Sequence, residues 1–141
     1  MGTGMGVDPT TRDAPPREPS GRLLAEVSDA IVVIYKDCYG KGPTKARTTF
    51  DEDMLVCVLE GGFQASERTL RDAGRSEVVT ENREAFQEVL RERFISTVEE
   101  LTGRKVRAAL SGVDPETEVS AEIFLLEPTA ELGHEHEPVH A

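Results

Sequence analysis

The chain has 141 residues, 27 of them acidic and 16 basic, and a net charge of −11 at pH 7. That length supports one domain with a small core, and so acidic a surface excludes a sequence-independent binder of nucleic-acid backbones. Two cysteines without a C-x-x-C spacing, Cys38 and Cys57, fit a reduced cytoplasmic protein rather than a disulfide scaffold.

Residues 1–20 are rich in Gly and Pro and poor in apolar side chains, so they read as a disordered leader without the apolar segment of a signal peptide. No later run approaches the roughly 20 apolar residues of a membrane span. Direct membrane insertion is therefore not expected, and any peripheral placement would come through a partner.

Ser20 reads as the cap of a helix over residues 21–39, where Leu23, Leu24, Val27, Ile31, Ile34, Tyr35 and Cys38 recur at three- and four-residue steps. The loop Gly40-Lys41-Gly42-Pro43 stops it. Residues 44–50 alternate, with Ala46, Thr48 and Phe50 on one side and Lys45, Arg47 and Thr49 on the other. An acidic turn leads into residues 54–60, apolar on both faces, and the two segments form a hairpin. Gly61-Gly62 ends it.

A short helix follows over residues 65–73, with Leu70 as its main anchor. A longer one covers residues 76–101, capped by Ser76, with Val79, Phe86, Leu90, Phe94, Val98 and Leu101 as its stripe. Residues 104–110 alternate again, Val106, Ala108 and Leu110 inward and Lys105, Arg107 and Ala109 outward. Asp114-Pro115-Glu116 makes the turn into a last strand over residues 118–127. Residues 129–141 read as a disordered tail, acidic and carrying His134, His136 and His140.

The order α-β-β-α-α-β-β predicts a single α+β domain over residues 21–128. A helix–β-hairpin unit occurs twice, giving a four-stranded, mainly antiparallel sheet with helices on one face.

Repetition also places the two basic pairs, Lys45 with Arg47 and Lys105 with Arg107, on one side of their strands. If the halves are related by a pseudo-twofold, these four cations converge on an anion or on an acidic segment of a partner. The plainer reading is a solvated face whose cations pair with acids such as Glu122. That outward face carries apolar side chains as well. They come from one or other alternate set of the second strand, and Phe124 and Leu126 join them beside Ser120 and Glu122 on the last. A homodimer or a protein partner would cover such a row.

Gly40-Lys41-Gly42-Pro43 follows a helix C-terminus, where the dipole disfavours anions, so it reads as a structural turn with Lys41 near the last helical carbonyls. Asp114-Pro115 reads the same way. The tail histidines lack a fixed geometry for a metal. No histidine occurs outside the tail, so the core has no Ser-His or Cys-His pair. Motifs for hydrolases, kinases and dehydrogenases are missing, and the expectation is a non-enzyme without cofactor or metal. Two roles remain, an accessory that pairs with itself and docks on a partner, or a small-anion or small-ligand-binding regulatory module.

Five segments carry a further likeness. They are Tyr39-Gly40-Lys41-Gly42-Pro43, Val58-Leu59-Glu60-Gly61, Gln64-Ala65-Ser66-Glu67-Arg68-Thr69-Leu70, Leu101-Thr102-Gly103-Arg104 and Val113-Asp114-Pro115-Glu116-Thr117. With them the chain resembles, over residues 21–128, the bacterial MpsC family, a former domain of unknown function. The family is named after a proposed sodium-translocating, membrane-potential-generating system. At Gln64-Ala65-Ser66 the chain lacks the proline of the family's Thr-Pro-Ala-Glu-Lys helix start but keeps the start itself. The resemblance implies a soluble accessory associated with membrane transport or inorganic-carbon supply, with a membrane transport subunit as partner. It transfers no catalytic residue.

Overall fold

A computed structural model of the chain describes residues 15–129. The rest of the expected leader and tail, with His134, His136 and His140, lies outside the described residues. Helix α1 (Gly21–Tyr39) begins where the sequence predicts, because the Ser20 hydroxyl accepts a hydrogen bond from the Leu23 N–H at 3.1 Å. It stops at Gly40, whose φ of 75° is a left-handed cap that an L side chain resists. The stripe of Leu23, Val27, Ile31, Ile34 and Tyr35 is buried.

Strands β1 (Lys45–Asp51) and β2 (Met54–Glu60) form one hairpin, and β3 (Val106–Asp114) and β4 (Val119–Leu126) the other. Because β2 and β4 pair with each other, the sheet runs β1-β2-β4-β3 with every pairing antiparallel. The reason lies in composition. Met54–Glu60 and Val119–Leu126 carry apolar side chains on both faces and take the centre, while β1, polar on one side, takes an edge. Helices α1 and α3 (Ser76–Thr102) pack on one face, where Leu55, Cys57, Leu59, Phe124 and Leu126 meet α1's stripe and Phe94 and Val98 of α3. Each such fully buried side chain contributes about 1.5–3 kcal/mol. The fold is therefore α+β, as expected.

Several local expectations change. The last strand is turned over, so that Ser120, Glu122, Phe124 and Leu126 face the helices while Val119, Ala121, Ile123 and Leu125 face away. On β3 a bulge inserts Arg107 between Val106, opposite Leu126, and Ala108, opposite Leu125. The extra residue shifts the alternation, so Ala109 packs on the core and Leu110 is 57% exposed, the reverse of the simple pattern.

Helix α2 (Ala65–Asp72) is anchored by Glu67, which is buried, rather than by half-buried Leu70. On α3 the buried stripe runs Val79, Arg83, Gln87, Phe94, Val98, with two polar residues at the four-residue steps and Phe86 on the rim. Arg75, not Ser76, holds the N-cap position, and the Ser76 hydroxyl bonds Glu116 instead. Among the described residues no helix is long and apolar enough to cross a membrane.

Candidate functional site

Across the open face of the sheet, outward side chains form rows that the register defines. Asp51, Met54, Leu125 and Ala108 make one row, and Thr49, Val56, Ile123 and Leu110 the next. Arg47, Val58, Ala121 and Gly112 follow, then Lys45, Glu60, Val119 and Asp114. The middle of this face is apolar, and no described element covers it. Met54, Val58 and Leu110 are exposed, at 39%, 37% and 57%.

The four cations do not converge. Lys45 and Arg47 share a shallow depression with Thr49, Val58 and Glu60 on the β1 edge. Lys105 and Arg107 lie at the opposite edge, three strand spacings or about 14 Å away. They also lie toward the opposite end of the strands, since Arg107 sits beside the Leu125 and Leu126 end of β4, whereas Lys45 is level with Val119. A single anion cannot reach all four. Glu122 is not their counterion either, because it faces the helices and is 1% exposed.

The loop motifs come together at a different corner. A Cβ on Gly62, where φ is 83°, would fall 2.7 Å from the Gly42 carbonyl oxygen, so Gly40-Lys41-Gly42-Pro43 packs directly on the β2 exit. Lys41 donates to the Phe63 carbonyl at 3.3 Å rather than to the last carbonyls of α1. From the other side the Gly61 N–H bonds the Glu118 carbonyl at 2.9 Å. The Glu118 carboxylate is clamped by Arg68, at 2.8 and 3.0 Å, and by Arg71 at 2.9 Å, and these cations hold it down to about 2. Arg71 also bonds the Pro115 carbonyl at 3.2 Å, and Asp114 accepts from the Glu116 N–H at 3.1 Å. Both motifs are therefore tied into the fold at one corner.

Behind this corner Arg83, 2% exposed, lies between the Tyr39 and Phe63 rings, 4.0 and 3.8 Å from their centroids. It pairs with Glu67 at 2.7 and 2.9 Å. Burial works against the Glu67 carboxylate, but the bonds from Arg83 and from the Gln64 N–H keep it below its ordinary range.

A second buried acid stands under the sheet. Glu122 accepts from the Tyr35 hydroxyl at 2.7 Å, from Gln87 Nε2 at 3.1 Å and from the Ser111 hydroxyl. Among the described residues it forms no ion pair, and burial pushes it up to about 7 against the pull of those three donors. Its row continues through Cys57, pushed up by burial to about 11, to Thr48, whose hydroxyl meets that of Ser28 at 2.7 Å. This polar seam escaped the sequence reading. Its signal was present, since Arg83 and Gln87 continue the spacing of Val79 and Glu122 shares the parity of Phe124 and Leu126.

Comparison with known proteins adds a family and one relative. The model of the family described as "Na+-translocating membrane potential-generating system (MpsC)" matches residues 20–128. The chain is similar to the "Uncharacterized protein YrhF" of Bacillus subtilis (strain 168), 29% identical over 108 residues, which cover 75% of this chain and 88% of that one. No solved structure matches.

Proposed function

The chain belongs to the MpsC family, and from that premise we propose a non-catalytic accessory of a membrane-potential-generating system that acts by protein contact. It pairs with a second copy of itself and docks on a membrane-embedded subunit. The observation that carries this reading is the open sheet face, apolar at its centre and charged at its corners. Lys45, Arg47 and Arg107 enter no ion pair among the described residues, so their charge is available to a partner.

The face is complementary to itself. A half-turn about an axis parallel to the strands lays β1 on the partner's β3. Lys45 then meets the partner's Asp114, and Asp51 meets the strand end that carries the partner's Arg107. Sedimentation of the purified protein tests the pairing. A dimer that Ile123→Glu dissociates, that Lys45→Asp weakens and that Lys45→Asp with Asp114→Lys restores is expected. Capture from detergent-solubilised native membranes tests the docking, with an integral membrane protein recovered by wild type and lost with Ile123→Glu. A monomer at high concentration that recovers no membrane protein overturns the proposal.

One observation favours a second reading, a small-ligand-binding regulatory module. Beside Glu122 there is a cavity, and its acidic lining suits a cation rather than the anion that four converging basic residues would have taken.

A further inference from the structure

A cavity of about 230 Å³ opens between α3 and the edge strand β3. Its apolar walls include Phe94 and Phe124, its polar end holds Glu122, Gln87 and Ser111, and Glu84 and Glu88 also line it. The volume is well above the roughly 10–15 Å³ that holds one water, too large for a bare metal ion and suited to a compact organic molecule.

The polar end lacks donors. An ionised carboxylate offers about four acceptor positions, and Glu122 receives three bonds, from Tyr35, Gln87 and Ser111. Gln87 is 4% exposed and its Oε1 has no hydrogen-bond partner. The amide orientation is fixed from the other side, because Nε2 donates to the Gly112 carbonyl at 3.1 Å as well as to Glu122. A buried carboxylate without a cation, beside a cavity, asks for a positively charged group with N–H bonds. Arg91 lines the same cavity but is engaged with the Ala109 carbonyl at 2.7 Å and forms no ion pair with Glu122.

We infer that this cavity binds a small primary ammonium compound, with Glu122 as its counterion and Phe94 and Phe124 against its apolar body. The fit is chemical on both sides. A primary ammonium presents three N–H bonds in a small volume, and an attached ring or short alkyl chain fills the aromatic part of the cavity.

Binding is coupled to a proton. Burial raises Glu122 to about 7, so empty sites carry the acid form in part at neutral pH, and an arriving ammonium drives that proton into the buffer. The groups that face Glu122 do not compete for this role. Tyr35 from α1 is pushed above its ordinary range by burial and by Glu122 itself, and Cys57 from β2 is raised to about 11. Ser111 from β3 and Gln87 from α3 do not titrate in this range. Glu84 and Glu88 are exposed.

Calorimetry with benzylamine at pH 7, in phosphate and in MOPS, neither of which carries a primary ammonium, tests the inference on the full chain. The expected result is saturable one-to-one binding with proton release, at least tenfold weaker binding by Glu122→Gln, and no binding of benzyl alcohol. If that variant fails to fold, carboxyl NMR of the wild type serves instead, and benzylamine should lower the Glu122 midpoint by one pH unit or more. Equal binding of benzyl alcohol, or a midpoint that benzylamine leaves unmoved, overturns the site. A midpoint lowered as far by sodium chloride alone makes it an alkali-ion site and overturns the ammonium assignment.

Discussion

Replacing Glu122 by Gln should change how stability depends on pH far more than it changes the fold. The native carboxyl stands near 7 and an ordinary glutamate near 4.5, because burial penalises the charged form more than Tyr35, Gln87 and Ser111 support it. Between those values the native state holds the proton and the unfolded chain releases it. Stability is therefore fully present below pH 4.5 and is lost as pH rises through 7. At about 1.4 kcal/mol per pH unit, the loss amounts to about 3 kcal/mol by pH 8. Glu122→Gln has nothing to titrate, and the Tyr35 and Ser111 hydroxyls are able to reverse roles around an amide. Urea denaturation of both proteins from pH 4.5 to 8 measures the difference. The variant should match the wild type at the acid end and exceed it at the alkaline end, by an amount approaching 3 kcal/mol. Groups that titrate alike in both proteins cancel in that difference. A difference that stays flat across the window refutes the account of the buried acid.

Arg83→Met removes a guanidinium held between two rings and leaves the Glu67 carboxylate buried without its cation. Chemical denaturation should show a loss of about 3–5 kcal/mol, part of it recovered by adding Glu67→Gln. Gly62→Ala should lower the melting temperature more than Gly74→Ala. Both residues have φ near 80°, but an added Cβ meets the Gly42 carbonyl at 2.7 Å in the first case and nothing within 4 Å in the second. Equal losses would mean that φ alone sets the cost.

Punctuation was the most legible part of the sequence. Ser20 and Gly40 bound α1, Gly103 with φ of 73° ends α3, and the two turns fall where acidic and Asp-Pro segments place them. Parity was less legible. The bulge at Arg107 has no residue signature, and everything after it on β3 faces the other way from a simple alternation. Glu122 misled for a different reason. A carboxylate in a strand reads as solvent-facing, and only Tyr35, 87 residues away in sequence, and Gln87, 35 away, make its burial tolerable. The separation of the two basic pairs was within reach of the sequence, since a strand apolar on both faces belongs at the centre of a sheet and leaves the mixed strands at the edges.

The segments that carry the family likeness occupy the parts of the molecule least informative about its role. Gly40-Lys41-Gly42-Pro43, Gly61, the start of α2 and Asp114-Pro115 meet at one corner, joined through Gly61-Gly62 and the Glu118 clamp. Arg104 ties the other end by bonds to Asp53 and to the Glu127 carbonyl. Substitutions there are expected to act on folding, and a lost phenotype from any of them would not distinguish an accessory from a binding module. The open face and the Glu122 cavity behave differently. Ile123 lies on the face turned away from the core, so a charge there leaves the core intact, and Glu122→Gln keeps the shape of its site. The two strands that meet at the centre of the sheet thus present one candidate on each side. Contact is tested from the outer side of β4 and ligand binding from the inner side, and either can be lost while the other remains.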